Sequence, residues 1–151
     1  LQSYKGVKRR FDVHIESSKI VYIDDYAHHP SEINALLNAV KEFYPNKKLI
    51  GVFQPHLYSR TRDFLKDFSL SLSSLDELFL LPIYPAREKP IDGINSSLLL
   101  SEVCLYKKQI ITSEHDLFSQ LDSKKSYVLL TIGAGDIDEW VPSIKNYLIK
   151  K

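Results

Sequence analysis

Four apolar runs recur along this chain: Ile20-Val21-Tyr22-Ile23, Leu49-Ile50-Gly51-Val52-Phe53, Leu78-Phe79-Leu80-Leu81 and Tyr127 to Ile132. Each gives way to a polar segment and then to apolar residues at helical spacing. Continuous apolar runs of this length are strands buried on both faces, and strands alternating with helices need parallel crossover connections. We therefore expect an α/β fold: a doubly wound, mostly parallel, Rossmann-like sheet with helices on both faces. Ahead of the first run, Phe11, Val13 and Ile15 alternate with polar residues, and Ser17-Ser18 turns the chain into Lys19 to Ile23. That is a hairpin, and it adds one antiparallel edge strand.

After Pro30, the residues Ile33, Leu36, Leu37, Val40 and Phe43 trace a helical face, with Pro30 suited to the first helical position and Glu32 to the first turn. Pro45-Asn46 ends it. Phe64, Leu65, Phe68 and Leu72 give a second helical face, a third helix is expected from about Ser96 to Tyr106, and a short strand follows near Ile110-Ile111. Leu117, Phe118 and Leu121 mark another helix. The last carries Trp140, Ile144, Tyr147 and Leu148, aromatics read as core, and tolerates Pro142 only near its first turn.

At 151 residues, 44% hydrophobic and 26% charged, the chain has room for one domain, taken as 1–151. A formal charge of +1 gives no electrostatic case for nucleic acid, and the cluster Lys8-Arg9-Arg10 is too short to change that. The Ser/Leu run from Phe68 to Leu75 falls far short of the ~20 apolar residues of a membrane span, so no membrane partner is expected. The lone Cys104 excludes an internal disulfide and fits a reducing, cytoplasmic setting. Met is absent and the chain opens on Leu1-Gln2-Ser3, from which we expect a piece cut from a longer protein.

Parallel strands place the turns at Asp24, Gln54, Leu81 and Gly133 on one rim, so residues distant in sequence can line one site. The first turn, Asp24-Asp25-Tyr26-Ala27-His28-His29-Pro30, crowds two carboxylates, a phenol and two imidazoles. Three readings stand side by side. The group could ligate a metal, although adjacent His residues seldom aim at one ion. His29 and Asp24 could merely cap a helix and pair with neighbours. Or the turn could bind a ligand.

Gly133-Ala134-Gly135 lacks the third glycine of a dinucleotide fingerprint; it reads as backbone that turns sharply or approaches a ligand closely, with amides free to hold an anion. In the polar turn Gln54 to Arg60, Arg60 opens a helix, where a cation opposes the macrodipole, and stands beside His56. Its guanidinium fork suits a carboxylate or phosphate. Arg10, assigned to the first strand, is by composition an ordinary edge-strand charge. No phosphate-cradling P-loop motif occurs, and no oxyanion-type turn adjoins Cys104.

The segments Asp24-Asp25-Tyr26-Ala27-His28-His29-Pro30-Ser31-Glu32-Ile33, Phe53-Gln54-Pro55-His56-Leu57-Tyr58-Ser59-Arg60-Thr61-Arg62 and Gly133-Ala134-Gly135-Asp136-Ile137 closely resemble the carboxyl-terminal domain of the Mur ligases that add L-alanine. Gly6 to Phe11 resembles the start of that domain, and the order of the motifs is the same. The resemblance implies an ATP- and Mg2+-dependent ligase that joins L-alanine to UDP-N-acetylmuramate through an acyl phosphate, in peptidoglycan synthesis. It implies two further domains that bind the UDP-sugar and carry the P-loop, so that no catalytic residue and no metal ligand is expected in this chain.

By the same resemblance, Arg10 and Asp25 contact ATP, at its phosphates and ribose hydroxyls respectively. Tyr26, His28, Arg60, Gly133, Ala134 and Gly135 face the amino acid, with His29, His56 and Asp136 in support. Leu57 stands where relatives often carry Arg, which leaves one cation fewer for the amino-acid carboxylate. Arg87 replaces a usual Gly, so Tyr84 and Glu88 carry over loosely. A ligase for murein tripeptide and a stand-alone binding module are the alternative readings.

Overall fold

The buried runs form the strands, and the periodic segments pack against them, in a computed structural model that describes residues 8–150. The strands are β1 (Asp12–Glu16), β2 (Ile20–Asp25), β3 (Lys48–Phe53), β4 (Glu77–Leu80), β5 (Lys108–Ile110) and β6 (Tyr127–Ile132). They make one sheet in the order β1-β2-β6-β3-β4-β5. β1 pairs antiparallel with β2, and every other pairing is parallel. The expected α/β architecture, with one antiparallel edge strand, is what the chain adopts.

Side-chain alternation divides the core between the faces. Val21, Ile23, Val128 and Leu130 point to one face, where helices α1 (Pro30–Phe43), α3 (Leu65–Leu72) and α4 (Ser96–Glu102) pack through Ile33, Leu37, Phe68, Leu72 and Leu99. Tyr22, Val52, Phe79 and Leu129 point to the other, covered by α5 (Glu114–Gln120) and α6 (Val141–Ile149) through Leu117, Ile144 and Leu148.

Several boundaries differ from the sequence reading, each for a local reason. Arg10 is not in a strand: Arg9 and Phe11 on either side have φ of 63° and 46°, a left-handed backbone that no strand accommodates. The second helical face is two helices, α2 (Tyr58–Asp63) and α3, parted at Phe64, whose φ of −114° leaves the helical range. The helix expected to reach Tyr106 stops at Glu102, because buried Val103 turns extended, and Lys108 Nζ donates to the carbonyls of Leu100 and Val103 at its end. β5 covers Lys108–Ile110, a little earlier than expected. The last helix begins as a 3-10 turn (Asp136–Trp140) before α6, which holds Pro142 in its first turn.

Register sets the strand ends level. Asp25 of β2 and Phe53 of β3 both lie opposite Ile132 of β6, and Phe53 lies opposite Leu80 of β4. The turns after β2, β3 and β6 therefore meet on one rim.

Candidate functional site

Two carboxylates end β2, and alternation sends them to different work. Asp24 is buried, 1% exposed, and accepts from Thr131 Oγ1 at 2.7 Å and from Arg9 Nε at 2.9 Å. Since Thr131 gives its only hydroxyl proton to Asp24, the Tyr22 phenol 3.2 Å away donates to Thr131. Burial pushes the Tyr22 phenol far above its ordinary range and keeps that donor protonated. Asp24 is thus the anchor of an internal polar chain, as the capping-and-pairing reading supposed. His29 is structural too: it is the N-cap of α1, its Nδ1 accepting from the Ser31 amide while Glu32 returns to the His29 amide, and its ring sits edge-on to Phe64 at 4.6 Å.

Asp25 faces outward. Its oxygens accept the amides of Phe11 at 2.6 Å and Ala27 at 2.8 Å, one each, which leaves lone pairs for other donors. Burial raises its pKa against the lowering effect of those amides. Arg10 and Asp25 line a common cavity of about 330 Å³ with Tyr26, Ala27 and Glu32. The pair assigned to one ligand from sequence is therefore brought together.

The residues assigned to the second ligand also meet. Tyr26, 43% exposed, stands edge-on to His28 at 5.2 Å, and His28 lies 6.1 Å from His56. His28 Nδ1 is 3.0 Å from the Tyr26 carbonyl and 3.4 Å from a Glu32 oxygen, both acceptors, so that nitrogen carries a proton and Nε2 is left for another partner. Arg60 donates from Nη1 to His56 Nδ1 at 3.2 Å. Burial, and then the Arg60 charge, lower the His56 pKa, favouring the neutral ring that this bond requires. Among the described residues no carboxylate pairs with Arg60. The result is a cation held in place by a neutral acceptor, with its charge uncompensated.

The loop after β4 supports this group. Tyr84 stacks on His56 at 5.6 Å and 15°, and its backbone exchanges bonds with Pro55 and Leu57. Leu57, the N-cap of α2, has φ 73° and no side chain able to cap. Glu88 takes that part, accepting the amide and the hydroxyl of Ser59. Those bonds hold the Glu88 pKa below the usual carboxylate range.

The crevices between the central strand ends are filled from within. β2 leads to a helix on one face and β6 to helices on the other, the arrangement that opens a ligand crevice in doubly wound sheets. Here the Arg9 guanidinium lies in it, bonded to Asp24 and, at 2.7 Å, to the Gly133 carbonyl. Between β3 and β6, Gln54 does the same: Nε2 donates to Asp136 at 2.6 Å and Oε1 accepts from the Ile137 amide at 3.0 Å. Gln54, at the start of the polar turn after β3, is buried.

Gly133, at φ 146°, would press a Cβ to 2.8 Å from the Gln54 carbonyl oxygen, and a Cβ on Gly135 would strike Gln54 and Tyr84. The glycines are needed for this close packing. The Gly133 amide is also engaged, on the Asp25 carbonyl at 3.1 Å, so it is not among the amides free for an anion.

Among the described residues no group of three or more His, Cys, Asp or Glu side chains gathers as a metal would require. A second cavity of about 300 Å³ lies at the opposite end of the strands among Lys48, Glu77, Lys107 and Lys125, away from every motif above.

The family model described as "Mur ligase, glutamate ligase domain" matches residues 9–135, which takes in the turns after β2 and β3 and the three residues Gly133 to Gly135 after β6. The chain belongs to the Mur ligase family. Over its whole length it is 56% identical to a UDP-N-acetylmuramate–L-alanine ligase of Flavobacterium psychrophilum, and it spans 34% of that relative. The chain thus spans about a third of the length of such relatives. In structure it is similar to a UDP-N-acetylmuramate–alanine ligase of Thermotoga maritima, with a TM-score of 0.75 at 26% identity over 98% of this chain and 32% of the other. A murein peptide ligase of Psychrobacter arcticus shares the fold, with a TM-score of 0.70 at 18% identity over 95% of this chain and 30% of that one.

Within this Mur ligase domain, Arg9 and Gln54 are the site residues that sequence reading missed. A buried aspartate at the end of an apolar strand signals that a cation must come to it. Nothing local says which of Lys8, Arg9 and Arg10 it is.

Proposed function

We propose that this chain is the third domain of an ATP-dependent ligase that adds L-alanine to UDP-N-acetylmuramate, and that it brings two of the substrates together. The observation carrying this is the placement on one rim of two polar groups with Tyr26 between them: Arg10 and Asp25 around one cavity, and His28, His56 and Arg60 beside it. The 56% identity to an alanine-adding enzyme supports the choice of amino acid over a murein peptide.

ATP, with Mg2+ held by the absent domains, would supply the phosphoryl group that activates the sugar carboxylate. In this reading the chain's own residues bind and orient. Asp25 receives ribose hydroxyls on its spare lone pairs, and Arg10 reaches the phosphates, where charge develops. Arg60 holds the alanine carboxylate as a charge-assisted pair, and His28 turns Nε2 toward the amino group. Fixing both substrates on one rigid rim is an entropic contribution to rate, and closing the rim on the other domains excludes water. A cytoplasmic setting follows from those substrates, and no helix among the described residues is long and apolar enough to cross a membrane.

The test is kinetic, in the full-length ligase. Arg60→Ala should raise the KM for L-alanine roughly 10–100-fold, the worth of a charge-assisted bond of about 1.5–3 kcal/mol, while Arg10→Ala lowers ATP-dependent turnover. ADP release driven by murein tripeptide but not by L-alanine would overturn the reading.

A further inference from the structure

Arg9 touches more of the rim than any residue assigned a ligand, yet it is turned inward, its side chain 16% exposed. Nε and Nη2 bind Asp24 and the Gly133 carbonyl, Nη1 lies 3.8 Å from Asp138, and the guanidinium carbon sits 5.3 Å from the centre of the Tyr26 ring. Its carbonyl accepts the Tyr26 amide at 2.7 Å. One residue therefore joins the start of the domain, the turn after β2 and the turn after β6. It fastens Tyr26 twice, by backbone and by ring.

We propose that Arg9 is a positioning residue, setting where Tyr26 stands by spanning the crevice between β2 and β6. This rests on the reading of Tyr26 as a contact for the amino acid. Arg9 is turned away from the substrates: Nε and Nη2 each bond a protein oxygen, Nη1 faces Asp138, and Tyr26 lies between the guanidinium and His28. A lysine could keep a charge beside Asp24, but a single ammonium cannot also reach the Gly133 carbonyl and stand over the Tyr26 ring. Arg9→Lys is therefore the informative change, because it avoids stranding the buried Asp24 without a cation.

Two measurements decide it. In the chain itself, NMR of Arg9→Lys should show the Tyr26 ring-proton signals displaced, with those of Tyr147, at the far side of the sheet, unmoved. In the full-length ligase, Arg9→Lys should raise the KM for L-alanine about tenfold, the order of one lost charge-assisted contact, with kcat nearly unchanged. Because Arg9 acts through Tyr26, the same change made on a Tyr26→Ala background should alter KM by less than about twofold. Unmoved Tyr26 signals, or a KM effect that survives intact without Tyr26, would overturn the proposal. A wild-type ligase indifferent to L-alanine would instead sink the functional reading, leaving the NMR result to judge Arg9.

Discussion

Arg60 donates to Nδ1 of His56 across 3.2 Å, so that nitrogen has to be unprotonated for the pair to exist. Burial and the neighbouring cation both lower the His56 pKa, and Glu88 opposes them only in part. A base whose pKa is lower folded than unfolded takes up its proton in the unfolded chain first. Stability is then full above the unfolded value of about 6.5 and declines as pH falls from there through the folded pKa. Thermal melts between pH 7 and 5 should show that decline, and His56→Gln should flatten it; an identical slope in the variant would show that His56 does not carry it.

α2 is six residues long, begins at a leucine with positive φ, and carries Arg60. Nothing in its own sequence accounts for its start, since Leu57 cannot cap. The acceptor comes from Glu88, beyond β4, and the platform from Tyr84, which stacks on His56. Glu88→Ala should therefore increase the hydrogen-exchange rate of the Ser59 amide without affecting the amides of β6. Equal exchange in both proteins would mean that α2 is held by other contacts. The turn after β6 depends on a different contact: Gly133→Ala would force a Cβ against the Gln54 carbonyl at a φ of 146°. We expect a loss of about 2 kcal/mol, or roughly 4–8 °C in Tm by calorimetry.

At the scale of the whole molecule, β6 is the shared wall of two cores. Its odd residues Tyr127 and Leu129 belong to one, and Val128, Leu130 and Ile132 to the other. Neither core can open without exposing the strand that supports its partner. Leu37→Ala on one face and Leu129→Ala on the other should each lower stability by about 2–5 kcal/mol, and both should melt in a single calorimetric transition. Two resolved transitions in either variant would refute this coupling.

The strands, their mostly parallel pairing and the start of α1 were legible in the sequence, because continuous apolar runs and a Pro30-Glu32 start report local physics directly, whereas His29 as the cap was only one of three open readings. The motif residues Arg10, Asp25, Tyr26, His28 and Arg60 could be singled out there as well, and register brings them to one rim. Other features depend on partners far along the chain, which periodicity does not encode. The capping of α2 by Glu88 and the filling of both crevices by Arg9 and Gln54 are of this kind. Each arises because a buried charge, an uncapped helix end or an amide near the core must find a partner, and only the folded chain determines which residue is close enough.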